Sequence, residues 1–365
     1  MSEVLVVGGG IIGCGIARAL SVRGRRVTLV DPREVGQGAS RASAGMLAPF
    51  TEGQHDHALQ VLGIRSLELY NGLLADLAAE GAKVEYTRNG SVEIGLDPED
   101  DTRIDAMAAA LAAAGVAHER YDAEALGATE PGVTRTARGG LRIGAHGAVD
   151  VPALVQALWR SASSRGATHV TASATSIVPA TGGLRIETSA GALEATHVVL
   201  ASGCWAGQID CGAPVRPPVG PVRGQLLVLG LREQVLRHAL WGPRCYLVPW
   251  RDGTVLVGAT VEDAGFDERA TAEGVDSLLG SAIELVPALG RASFDEVRVG
   301  LRPGTPDHRP IVGPSSRMSG LTYATGHYRN GALLAPLTAE AIAGLVEGTP
   351  LDAVWDPCAP ARFGL

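Results

Sequence analysis

The chain has 365 residues, 46% of them hydrophobic, and a formal net charge of −8. That is enough apolar material for a large core in one big or two interleaved domains. The arginines are scattered and no long run of one sign occurs, which excludes a nucleic-acid footprint or a membrane-surface patch and leaves a small molecule as the expected partner.

In chain order, residues 4–7 form an apolar run followed by "GGGIIG" and then by "CGIARALSVRG", whose Ile16, Ala19 and Leu20 spacing predicts a helix closed by Gly24. The strand "VTLVD" follows, completing a β-α-β unit. Leucines at 59, 62, 67, 69, 73 and 77 predict a helix over residues 58–80, and two more are expected over 103–114 and 152–165. Short β-like stretches, "GSVEIGL" (90–96) and "LRIGAHGAVD" (141–150), lie between them. From residue 214 the texture changes to strand-rich, proline-punctuated sequence, "PVRPPVGPVRGQLLVL", "CYLVPW" and "TVLVGATVE", as expected of an antiparallel sheet. A buried strand over 321–325 and a helix over 332–346 return at the end. With no repeat and no linker, the two domains are expected to interleave.

Gly8, Gly10 and Gly13 form G-x-G-x-x-G directly after a strand and at the mouth of a helix. The glycines allow a tight turn, close approach of a pyrophosphate to backbone, and close packing of helix on strand, while the helix N-terminus offers unpaired N–H groups. Asp31 ends the second strand, where a carboxylate would accept hydrogen bonds from an adenosine ribose and would disfavour the 2′-phosphate of NADP. NAD and FAD both remain open on that unit. The small-residue run "GASRASAGMLAP" (38–49) would let backbone approach a flat ring or a diphosphate. The apolar strand of "HVVLASGCWAG" (197–207) stops at Ser202 and Gly203.

Taken with "CYLVP", "VGAT", "GLRPGTPDHRPIVGP" and "ATGHYRNGALLAP", these stretches make nearly the whole chain resemble the D-amino-acid-oxidase-like family of FAD-dependent amine oxidases, above all its glycine-oxidising branch of bacterial thiamin biosynthesis. The resemblance implies an α+β D-amino-acid-oxidase-like flavoprotein fold. Its α/β dinucleotide-binding domain would comprise residues 1–80, 148–212 and 298–365, and a mainly antiparallel substrate-binding domain would comprise 81–147 and 213–297. FAD contacts are implied at Gly8, Gly10, Ile11, Ile12 and Gly13, at Asp31 and Pro32, at Ala39 and Ser40, and at Ala44, Gly45 and Met46. Further contacts are implied from the backbone near Thr175 and along His327, Tyr328, Arg329, Asn330, Gly331, Ala332 and Leu333.

The substrate carboxylate would be held by Arg302 and Arg329 with help from the Tyr246 hydroxyl, since a planar guanidinium pairs a carboxylate bidentately. The helix mouth near Gly331 would aim its positive end at the flavin. No catalytic acid or base is assigned: hydride loss from the α-carbon needs none if the amine enters neutral, so His327 is expected to pack or hydrogen-bond at the ring. Arg244 departs from the resemblance, which implies a histidine there. Sarcosine-type relatives use a lysine near the flavin and a cysteine thioether; Lys83, the sole lysine, lies in the outer domain, and "VGLRPGTPDHRPIVG" has no cysteine. Non-covalent FAD is therefore expected.

Cys14, Cys204, Cys211, Cys245 and Cys358 make no Cys-x-x-Cys pair and no zinc-like cluster, so reduced thiols and no metal are expected. Neither an export signal nor an apolar run of the ~20 residues that span a bilayer is evident, which makes a cytoplasmic enzyme the expectation. The implied reaction is oxidative deamination of glycine, sarcosine or a D-amino acid, with oxygen reduced to hydrogen peroxide, in a homo-oligomer. A dehydrogenase feeding a quinone or carrier, and a catalytically idle flavoprotein, are the alternatives.

Overall fold

The structure, a computed structural model, describes residues 2–53, 56–212 and 216–365. The first residues of the proline-punctuated stretch, 214 and 215, and the domain edge expected at 213 lie outside the described residues.

Strand β1 (Ser2–Val7), helix α1 (Ile11–Val22) and strand β2 (Val27–Asp31) form the β-α-β unit expected from the glycine pattern. β1 pairs in parallel with β2 on one side and with the strand Gly191–Leu200 on the other. The sheet continues through Thr168–Thr171 beyond β2, and through the antiparallel hairpins 174–188 at the opposite end. Leu321–Thr325 also joins Gly191–Leu200 in parallel. Val4 and Val6 on one face of β1, and Leu5 and Val7 on the other, are all buried, each pair in a different core cluster. A strand covered on both faces reads as a continuous apolar run, which is why "VLVV" shows no alternation.

On one face of this sheet α1 packs against the helices Val151–Ser163 and Gly331–Val346, and the latter packs on the long helix His57–Ala79. Gly13 and Gly8 set how close α1 comes to β1: a Cβ on Gly13 would lie 1.9 Å from the Gly8 carbonyl oxygen. Alanine there would force the helix off the strand.

The second large sheet runs in the spatial order 293–304, 220–230, 254–258, 246–249, 239–241, 91–95, 139–143 and 118–122. Every neighbouring pair is antiparallel except 239–241 with 91–95. A small third sheet joins Met46–Leu47, Gly147–Val149 and Tyr86–Thr87. The strand Ser293–Gly304 crosses the edge expected at 297/298, so Arg302 rides on the antiparallel sheet.

Helices and strands differ from their sequence limits by a few residues. The helix expected at 103–114 begins earlier, at Pro98, because Asp97 caps it by accepting from the Glu99 and Asp100 N–H groups. The stretch 141–150 breaks into two strands that serve different sheets.

Candidate functional site

The two large sheets face each other across a cavity of about 530 Å³. At one end lie the β1–α1 turn, the end of β2, and residues 37–46 and 172–174. At the other lie Tyr246, Arg302 and the turn 327–332.

At the first end, Gly8 has φ +114°, a region that favours glycine, and its missing side chain leaves room for the Ala201 carbonyl: a Cβ would lie 2.4 Å from that oxygen. Gly10, the N-cap of α1, has no side chain with which to cap the helix. Ser40 Oγ accepts from the Ile11 N–H at 2.9 Å, so the loop 38–42 is tied to the helix mouth. Asp31 braces the same turn from below, its Oδ2 accepting from the Gly9 N–H at 2.7 Å and its Oδ1 from the Arg33 N–H at 2.8 Å. The Ser202 hydroxyl oxygen is buried beside the cavity without a partner in the protein. A side-chain-free turn, a helix mouth whose own N-cap residue has no side chain and an orphaned hydroxyl lining one cavity fit a bound dinucleotide.

At the far end, Arg302 lies across Gly224 of the neighbouring strand, and its Nη1 donates to the carbonyls of Thr260 (3.0 Å) and Arg223 (3.4 Å). Tyr246 is likewise made room for by a glycine, since a Cβ on Gly258 would lie 2.3 Å from its ring. Burial raises the Tyr246 hydroxyl above its ordinary pKa, with Arg302 pulling the other way. The hydroxyl therefore stays a donor at neutral pH.

Tyr328, with φ +45°, donates its N–H to the Pro303 carbonyl (3.0 Å) and stacks on His308 at 4.9 Å. This strained turn delivers the helix Gly331–Val346 to the cavity with no side-chain cap, and Gly331 and Ala332 line the wall. His327 is buried there, its Nε2 3.1 Å from Thr338 Oγ1, and burial pushes its pKa down to about 3. It is neutral and carries no charge to the site.

The cavity gathers Gly8, Gly10, Ile11, Ile12, Asp31, Pro32, Ala39, Ser40, Ala44, Gly45, Met46, Tyr246, Arg302, His327, Tyr328, Arg329, Gly331 and Ala332. Four expected residues stand apart from it. Gly13 is spent on helix–strand packing. Thr175 turns its hydroxyl to the Glu187 carbonyl, and its neighbours Ser173 and Ala174 line the wall instead. Asn330 is buried behind the helix mouth, and Leu333 packs toward Gly63 of the His57–Ala79 helix. Arg244 is exposed and paired with Glu284, outside the cavity wall.

Glu52 was not legible in the sequence. It ends helix α2 (Pro49–Glu52), lines the substrate end, and its Oε2 lies 3.2 Å from Arg329 Nε. Burial pushes its carboxyl above the ordinary range, opposed by Arg329 and Arg302. Trp205 was missed as well: it lines the dinucleotide end beneath the Arg33 guanidinium, 4.7 Å from its ring centre.

A dinucleotide cradle on a parallel sheet, opening onto a second sheet that presents a cation beside a phenol, defines a nucleotide-cofactor-dependent oxidoreductase. The FAD dependent oxidoreductase (DAO) family model matches residues 3–345, and the chain belongs to that family; its cofactor is FAD. The chain is 35% identical over 353 residues to a bifunctional protein ThiO/ThiG of Nostoc sp., covering 94% of this chain and 52% of that one. It thus spans about half the length of the ThiO/ThiG proteins it matches. It is 33% identical to a glycine oxidase of Pseudomonas aeruginosa over 100% of both chains. Its structure matches that of a glycine oxidase from Geobacillus kaustophilus with a TM-score of 0.93 and 31% identity, covering 98% of this chain and 97% of the other. Among the described residues, no helix is long and apolar enough to cross a membrane.

Proposed function

We propose that the chain oxidises the C–N bond of a small amino acid, glycine first, to its imine, with oxygen as the electron acceptor. The observation that carries this reading is the convergence of Arg302 and Tyr246 on one end of a cavity whose other end is the dinucleotide cradle. Arg302 offers its remaining N–H groups to a carboxylate, and the Tyr246 hydroxyl donates to the same group. Held there, the substrate's α-carbon lies toward the mouth of the helix Gly331–Val346. When bound, FAD supplies an acceptor for the hydride of that carbon and passes the two electrons on to oxygen, giving hydrogen peroxide.

The chain's own residues anchor the acid, and His327, neutral and facing Thr338, brings no positive charge to the site. The amine enters neutral, and its nitrogen lone pair closes the C=N bond as the hydride leaves. The resulting iminium loses one of its two N–H protons to give the imine, that proton balancing the one taken up in peroxide formation. The imine is hydrolysed to glyoxylate and ammonia or passed to thiazole assembly, a route the ThiO/ThiG names support. Among the described residues no cysteine lines the cavity, in keeping with FAD held without a covalent bond. Oxygen uptake and peroxide formation on adding glycine to the purified yellow protein test the proposal. Flavin reduction without oxygen consumption would instead favour a dehydrogenase that serves another acceptor.

A further inference from the structure

The substrate end of the cavity holds three charged side chains: Arg302, Arg329 and Glu52. Arg329 and Glu52 form an ion pair at 3.2 Å, with side-chain exposures of 35% and 15%. Among the described residues there, only Arg302, whose neighbours are the neutral Arg223 and Thr260 carbonyls and the Tyr246 hydroxyl, lacks an acidic partner. With Glu52 ionised the end carries one net positive charge, which one carboxylate neutralises.

The short helix that carries Glu52 is held in place. Phe50 in the same short helix donates its N–H to His146 Nε2 (3.3 Å), and Thr51 donates its hydroxyl to Glu93 Oε1 (2.9 Å). His146 is itself fixed by Ser91 Oγ at 2.8 Å, and Glu93 by Arg103 at 3.2 Å. His146 and Glu93 are buried on a different part of the chain from α2. This network places a carboxylate in the pocket at the cost of burying it, a cost that anchoring of the acid by Arg302 and Tyr246 does not require.

We infer that Glu52 sets substrate specificity by occupying Arg329, so that the pocket takes amino acids with one carboxylate and rejects those with two. A second carboxylate reaching toward Arg329 meets Glu52, a like charge at close range, and a site discriminates as much by such repulsion as by attraction. With Glu52 made neutral, Arg329 becomes a second anion site, and a dicarboxylate gains a charge-assisted hydrogen bond that a monocarboxylate lacks. The inference rests on the amino-acid reading of the site, and its test is made independent of turnover.

Methoxyacetate and diglycolate are unreactive oxygen analogues of sarcosine and iminodiacetate, and differ by one carboxylate. Both are titrated into the FAD-loaded protein at mildly alkaline pH, which favours the Glu52 carboxylate, and binding is read from the perturbation of flavin absorbance. The native protein is expected to prefer methoxyacetate. In Glu52→Gln, which keeps the shape of the side chain, the preference is expected to shift about tenfold or more toward diglycolate. The double variant Glu52→Gln/Arg329→Met is expected to lose that shift, which separates a charge effect from a change of pocket size. An unchanged ratio in Glu52→Gln, or a shift that survives loss of Arg329, overturns the inference. Peroxide formation with sarcosine, measured on the same native sample, reports separately on the proposed reaction.

Discussion

A Cβ built on Gly224 would lie 2.3 Å from Nη1 of Arg302, so the guanidinium rests on the bare backbone of the adjacent strand. Gly224→Ala leaves Arg302 in the chain but moves its fork off the cavity axis. The expected outcome is a fall in kcat/KM for glycine of about tenfold or more, the loss of one charge-assisted hydrogen bond. FAD content should be unchanged. Steady-state kinetics beside the flavin-to-protein absorbance ratio check both parts, and native kinetics in this variant would mean that Arg302 is not the anchor.

Removing the anchor is the harsher experiment. Arg302→Ala is expected to lower kcat/KM by about a hundredfold or more, because a bidentate pair supplies two such bonds. Arg302→Lys should recover only part, since an ammonium cannot match the planar carboxylate with two parallel donors. Both variants should purify yellow. Loss of colour would place Arg302 in cofactor retention.

What was legible in the sequence is what local chemistry fixes. The turn Gly8–Gly13 and the carboxylate at Asp31 read directly, because close approach to backbone allows few residue types at those positions. The crowded mouth before Gly331 was equally visible. Thr175 and Leu333 lie in the right segments, but strand alternation sends the Thr175 hydroxyl to the Glu187 carbonyl and helix periodicity turns Leu333 onto His57–Ala79. Glu52 had no such signal. It sits on one turn of helix, too short for a period, and reaches the cavity only because Phe50 and Thr51 are held by residues 96 and 42 positions away. Trp205 likewise becomes part of the site only when Arg33 from the β2 end folds over it.

The Asp31 carboxylate makes two backbone hydrogen bonds within the protein itself. Asp31→Ala should therefore destabilise the protein with its flavin stripped, by roughly 2 kcal/mol or more, and weaken FAD binding in addition. Thermal or urea unfolding of the flavin-free form separates the two effects. If only the FAD-bound form loses stability, the bracing of the glycine turn contributes nothing.

Two buried histidines set how the fold responds to acid. Burial holds both His146 and His327 down to about 3, against about 6.5 in an unfolded chain. Between those values the unfolded chain binds protons that the native state refuses, so stability is complete above about pH 6.5 and falls as pH drops toward about 3. The carboxylates of Asp56, Glu262 and Asp307, held below their ordinary range by neighbouring arginines and hydrogen bonds, add their own losses, but only at lower pH. In the window from about pH 5 to about 6 the buried carboxyls of Glu52 and Glu93, held above their ordinary range by burial, take up protons in the native state and oppose this loss. The histidine contribution is therefore read as the difference between variant and native slopes. Within it, replacing His146 by Gln, which can still accept from the Phe50 N–H, should flatten the pH dependence of the unfolding free energy by about 1.4 kcal/mol per pH unit. His327→Gln should do the same, since among the described residues Thr338 is the one polar partner of its ring. Urea midpoints across that window measure the slopes, and a double variant as acid-sensitive as the native protein would mean that both imidazoles gain access to water on protonation.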